Sequence, residues 1–147
     1  MNNPLKRDFL ILKVIFLLLL SGQFLFLAAA IFFVTPDVNL AWADFFKNPM
    51  LLLAPALFLL TVALAGVVHY FQNKKKPRLH SLPSKMHHYR DTLILKAALF
   101  EISGLYSVAL IALTHSLKPF LFFAISVMAF LSLWPTVGRL KSGYGLE

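Results

Sequence analysis

The stretch Leu95–Leu113, LKAALFEISGLYSVALIAL, is apolar almost throughout, yet it carries Glu101 close to its middle. A carboxyl in such a run can hold a proton or a cation, or it can serve as a hydrogen-bonding group that fixes helix register. Withdrawal from water disfavours the charged form, so the neutral acid is expected. Polar residues also fall near the midpoints of the three other long apolar windows, at Gln23, Thr61 and Ser126, with Ser103 beside Glu101. Lone polar groups in hydrocarbon are costly, and bonds between helices relieve that cost. The spacing therefore predicts a polar layer of Gln23, Thr61, Glu101, Ser103 and Ser126, with Gln23 and Glu101 as its central pair. Ala97, Gly104, Val108 and Ala112 share the helical face of Glu101 and would let a neighbouring helix approach closely. Lys96, five positions earlier, belongs to another face and is expected to snorkel rather than pair with Glu101. Tyr106, Ser103 and Ser107 could extend a proton path. A single acid without further acids or histidines nevertheless makes a poor proton wire.

Other reactive residue types are thinly spread. His80, His87 and His88 could ligate a metal, but adjacent histidines point to different sides of a helix and only Asp91 is near enough in sequence to complete a set. No metal and no cofactor is expected. His69 and His115 read as residues at the ends of spans. Lys74, Lys75, Lys76 and Arg78, in KKKPR, could contact anionic lipid headgroups, at about 1 kcal/mol per basic residue near the surface. Their simpler role is to hold the segment on the positive side of the membrane. They have no interleaved aromatic platform, so nucleic acid is not an expected partner. The chain has no cysteine, which removes disulfides, thiolate ligands and a thiol nucleophile. It also lacks a nucleophile elbow, a zinc-binding helix motif, a phosphate loop and paired carboxylates. An enzyme is not expected.

The elements that must position these residues are legible from hydropathy. Of 147 residues, 59% are hydrophobic and 14% charged, and the mean hydropathy is +0.76. One core of this size cannot hide so much apolar surface. Windows at about 9–34, 50–70, 92–113 and 117–134 approach the length needed to cross a ~30 Å hydrocarbon layer. The expected fold is all-α: one domain, a four-transmembrane-helix antiparallel bundle. The first window is far longer than the ~7–15 residues of a signal-peptide core, so it reads as a retained helix despite Ala28-Ala29-Ala30. Twelve of the 14 basic residues lie near the N-terminus, in or beside the 72–90 loop or after window four, and only Lys47 and Lys118 lie on the other side. Both termini and the 72–90 loop are thus expected to be cytoplasmic, in a bacterial inner membrane. Pro77 and Pro83 disfavour one continuous helix through that loop. In the first outer loop, Thr35, Pro36 and Asp37 suit a helix start, with Val38, Ala41, Trp42, Phe45 and Phe46 on one face and Asp37, Asp44, Lys47 and Asn48 on the other. That pattern predicts a short amphipathic helix in the outer interface, anchored by Trp42, Phe45 and Phe46.

Two resemblances follow from these residues. AALFEISGLYSVALIAL resembles the ion-carrying helix of the rotary ATPase proteolipid, or c-ring subunit, where a Glu in an Ala-Leu-x-Glu segment precedes a Tyr by five residues, as Glu101 precedes Tyr106. The resemblance covers about one helix and implies that Glu101 carries a proton or sodium ion. It departs from that family in the partner helix, which is glycine-rich there and offers only Gly66 here. Tyr89-Arg90, Lys96–Glu101, Thr114 and Trp134-Pro135-Thr136 look like a pattern of small four-span bacterial membrane proteins of unassigned activity, over about residues 84–147. Trp134 stands where Arg is usual. This second resemblance implies fold and topology and no activity.

The expected function is a structural or accessory membrane component acting through helix packing, with lipids and a homo-oligomer or larger membrane complex as partners. The alternative is a proton- or ion-linked transport subunit using Glu101. A third reading is a membrane-surface anchor recruiting partners through the basic loop.

Overall fold

The computed structural model describes residues 3–34, 36, 45–75 and 81–145, with residues 3–6 and 75 described by backbone alone. These residues form five helices: α1 Asn3–Val34, α2 Pro49–Lys75, α3 Leu82–Thr114, α4 Phe120–Ser132 and α5 Val137–Tyr144. Three of them, α1, α2 and α3, are long and apolar enough to cross a membrane, and a fourth crossing arises if α4 and α5, bent by 70° at their junction, count as one broken span.

Local chemistry sets the helix ends. Asn48 Oδ1 accepts from Met50 N at 3.0 Å, with Pro49 at the first position of α2. Ser81 Oγ accepts from Ser84 N at 3.3 Å, and Pro83 sits in the first turn of α3, where a missing N–H costs nothing. His115, at φ 51°, ends α3 in the left-handed region. Pro119 opens α4 and Pro135 lies just beyond it. Thr136 Oγ1 accepts from Arg139 N at 3.3 Å to start α5, and Gly145, at φ 59°, ends it.

Several boundaries differ from those read in the sequence. The loop expected over 72–90 is largely helical, because α2 runs on to Lys75 and the Ser81 cap starts α3 at Leu82. Pro83 breaks nothing, being in a first turn. The fourth apolar segment is a helix of only 13 residues, trimmed by Pro119 and by the Leu133–Thr136 break. Phe45–Lys47 is a turn, with Phe45 buried and Phe46 exposed, so these two phenylalanines do not share one helical face. The cause is the Asn48 cap, which starts α2 immediately afterwards. Thr35, Asp37, Val38, Ala41, Trp42 and Asp44 of the expected outer helix lie outside the described residues, as do Lys76, Pro77, Arg78 and His80.

α3 is the central element and packs on α1, α2 and α4, with α5 against it. One core cluster joins Phe9, Leu12 and Phe16 of α1 to Met86, Tyr89, Leu93 and Ala97 of α3, Phe130 of α4 and Leu140 of α5. A second joins Leu27 and Ala30 to Val108, Ile111, Phe123 and Val127. The Phe16 and Phe130 rings, 5.0 Å apart between centroids, lie in the first.

Candidate functional site

Between the two apolar clusters lies a buried polar group. Gln23, Ser103, Ser107 and Ser126 are all essentially inaccessible. Ser126 Oγ donates to Ser103 Oγ at 3.1 Å, tying α4 to α3, and Ser107 Oγ donates to Ser103 O at 2.9 Å. Gln23 reaches α3 at Gly104: a Cβ added there would stand 3.0 Å from Gln23 Oε1. Glycine at position 104 leaves room for this approach. Both polar atoms of the Gln23 carboxamide are buried and form no hydrogen bond among the described residues, which leaves each with its desolvation cost. Thr61 is also buried, but its hydroxyl donates to Phe58 O of its own helix at 2.7 Å.

Glu101 stands apart from this group. It is only partly buried, about 60° round α3 from Gly104, and among the described residues its carboxyl makes no hydrogen bond or ion pair. The structure joins Ser103 to Ser126, sets Gln23 against the adjacent Gly104 and does not join Gln23 to Glu101. Ala97, Gly104 and Val108 are buried as their spacing predicts, but the contact centres on Gly104, with Glu101 at its edge.

At the other level of interest, Lys96 Nζ donates to His69 Nδ1 at 3.0 Å, and Asn73 Nδ2 lies 3.0 Å from His69 Nε2. Lys96 thus bridges α3 to α2. Lys74 Nζ lies 4.5 Å from the Tyr70 ring centre. Arg90 contacts Asp91 at 3.4 Å and His87 Nδ1 at 3.0 Å. His87 and His88 point apart, His88 forming a hydrogen bond with the Tyr144 hydroxyl. No group of three or more metal-ligating side chains occurs among the described residues.

The sequence reading missed a polar clasp that holds α5. The Tyr89 hydroxyl donates to Thr136 O at 3.2 Å and accepts from Thr136 N at 3.3 Å. Lys85 Nζ donates to Tyr144 O at 3.4 Å. Arg139 donates to Trp134 O at 3.4 Å and to Ser132 O, closing the end of α4. Burial, reinforced by the nearby Tyr89, pushes the Tyr144 hydroxyl up to about 12, so it is protonated at neutral pH. The quoted Tyr89-Arg90 and Trp134-Pro135-Thr136 segments held this signal, but nothing in their spacing joined them across 47 residues. The chain matches no family model, and no curated protein or solved structure matches it.

Proposed function

We propose that this chain is a small integral membrane protein of four spans that works as a structural or accessory component of a larger membrane assembly. The observation that carries the reading is the width of the apolar surface left uncovered along α1 and α2. Leu18, Leu25 and Phe32 of α1 are 65%, 71% and 78% exposed, and Leu59 of α2 is 66% exposed. Lipid or a partner helix must cover such faces. Contact order supports alternating spans. Phe9 meets Tyr89 and Gln23 meets Gly104, so α1 and α3 run the same way. Ser126 meets Ser103 and Thr136 meets Tyr89, so α4 runs oppositely. With the Lys and Arg bias, this reading places both termini and the α2–α3 connection in the cytoplasm of a bacterial cell. The hydrogen bond between Ser126 and Ser103 serves as interhelical glue.

A second reading, an ion- or proton-linked transport subunit, draws on Glu101 being part-accessible and outside the buried hydrogen bonds. One experiment separates the two. The gene is deleted and complemented with wild type, Glu101→Gln or Glu101→Leu, and the abundance of membrane complexes that co-purify with the wild-type chain in mild detergent is measured. A packing role predicts loss on deletion and full restoration by Glu101→Gln. Restored assembly without restored proton-dependent growth or uptake would favour the transport reading. Unchanged complexes on deletion would overturn the accessory role.

A further inference from the structure

α4 is too short for an ordinary bilayer. Its 13 residues rise roughly 20 Å, against ~30 Å of hydrocarbon. Polar groups bound it closely at both ends. At one end stand Lys118, itself buried by the fold, and the Phe45–Lys47 turn, whose Phe45 stacks on Phe122 at 6.3 Å, just inside the helix. At the other end Arg139 takes the carbonyl oxygens of Ser132 and Trp134. α5 adds no height, since it turns away by 70° and carries Arg139 and Lys141. Trp134, just past the helix, is the residue type that favours a membrane boundary. Yet Leu121, Met128 and Leu131 of α4 face outward and are exposed. On α1 the charge-free run beyond Lys13 extends from Val14 to Val34, about 30 Å. One molecule therefore shows two apolar heights.

We propose that the outward face of α4 holds a locally thinned bilayer, about 10 Å thinner than the layer alongside α1, and that short-chain lipid is its preferred partner. The inference rests on the membrane reading above. Tilting relieves a span that is too long, not one that is too short, and the flanking cations are already engaged, Lys118 buried by the fold and Arg139 held on the Ser132 and Trp134 carbonyls, so thinning rather than snorkelling is the response proposed at α4. A thinned patch lowers the barrier for polar groups crossing beside it.

The native chain has no cysteine, so single cysteines can be spin-labelled at Leu121, Leu131 and, as a reference, Leu25, in vesicles of ordinary eighteen-carbon phosphatidylcholine. Depth is read from the contrast between oxygen and a water-soluble nickel complex. The expected result is shallow labels at both Leu121 and Leu131, each within ~5 Å of the hydrocarbon boundary, and a deep label at Leu25. The two sites are about 15 Å apart along the helix, so in a layer of full thickness their depths would sum to about 15 Å and at least one label would lie ~7–8 Å or deeper, and that result would overturn the proposal. The unmodified chain gives a second measurement, its unfolding midpoint across phosphatidylcholines of increasing chain length. A maximum in the shortest chains is expected, and a flat profile or a long-chain maximum overturns the thinning. Release of the protein from vesicles by alkaline carbonate would overturn the membrane reading itself, and the thinning with it.

Discussion

Among the described glycines, position 104 is where an added Cβ would meet a neighbour, Gln23. An alanine at position 104 would press its Cβ to 3.0 Å from Gln23 Oε1, and overpacking of this kind costs about 1–3 kcal/mol. Gly104→Ala is expected to lower the unfolding midpoint in detergent. The cost should largely vanish in a Gln23→Ala background, and a double-mutant cycle showing purely additive effects would contradict the contact. Ser126→Ala should cost less, about 0.6 kcal/mol, the average for hydrogen bonds between membrane helices. The sequence pointed to Gln23, Ser103 and Ser126 because each interrupts an apolar window near its midpoint. It could not assign Glu101 to the rim, because depth along a helix is read from position whereas azimuth depends on which neighbour each face meets. The small residues around Glu101 gave the right face, but Gly104, not the carboxyl, lies at its centre.

At the scale of elements, α5 shows how a short polar helix is held without much apolar burial. Leu140 is its only buried side chain, so the clasp from α3 must do most of the holding. Tyr89→Phe removes two bonds to the Thr136 backbone and leaves two polar groups to find water. Faster proteolysis within 137–145, with the rest of the chain still protected, is the expected outcome; uniform protection would contradict the clasp. Tyr144 links this element to pH. Its hydroxyl ionises near 12 in the folded chain against 10.0 ordinarily, so between these values the folded state holds a proton that the unfolded state has lost. Its contribution is complete below about pH 10 and fades as pH rises toward 12. Titration of tyrosinate absorbance should show a late component that Tyr144→Phe diminishes. Helix existence was legible for α1, α2 and α3, whose apolar runs leave no alternative. The extension of α3 back to Leu82 was hidden because Pro83 looks like a breaker until the Ser81 cap places it in a first turn. α5 was hidden because its apolar face, Val137, Leu140 and Tyr144, spans only two turns of a segment of eight residues that also carries two glycines.

For the whole molecule, the distribution of charge and the order of contacts point to the same arrangement from independent physics. Lys and Arg are retained on the side from which a chain inserts, and twelve of the 14 lie at three sites that alternate spans would place together. The contacts of α3 with α1 and α4 arise from side-chain fit and know nothing of charge, yet they order those helices in the same alternation. Orientation can then be tested on the native cysteine-free chain. His115 and Ser142 are both exposed and lie at opposite ends of the α3–α4 pair. In intact cells with the outer membrane permeabilised, a membrane-impermeant maleimide should label His115→Cys readily. It should leave Ser142→Cys untouched until the inner membrane is opened. Labelling of both before opening would mean that the α3–α4 pair does not cross. The inverse pattern would mean that a crossing bundle is oriented against its own charge, and a receptor-bound or complex-imposed topology would then have to replace the Lys and Arg argument.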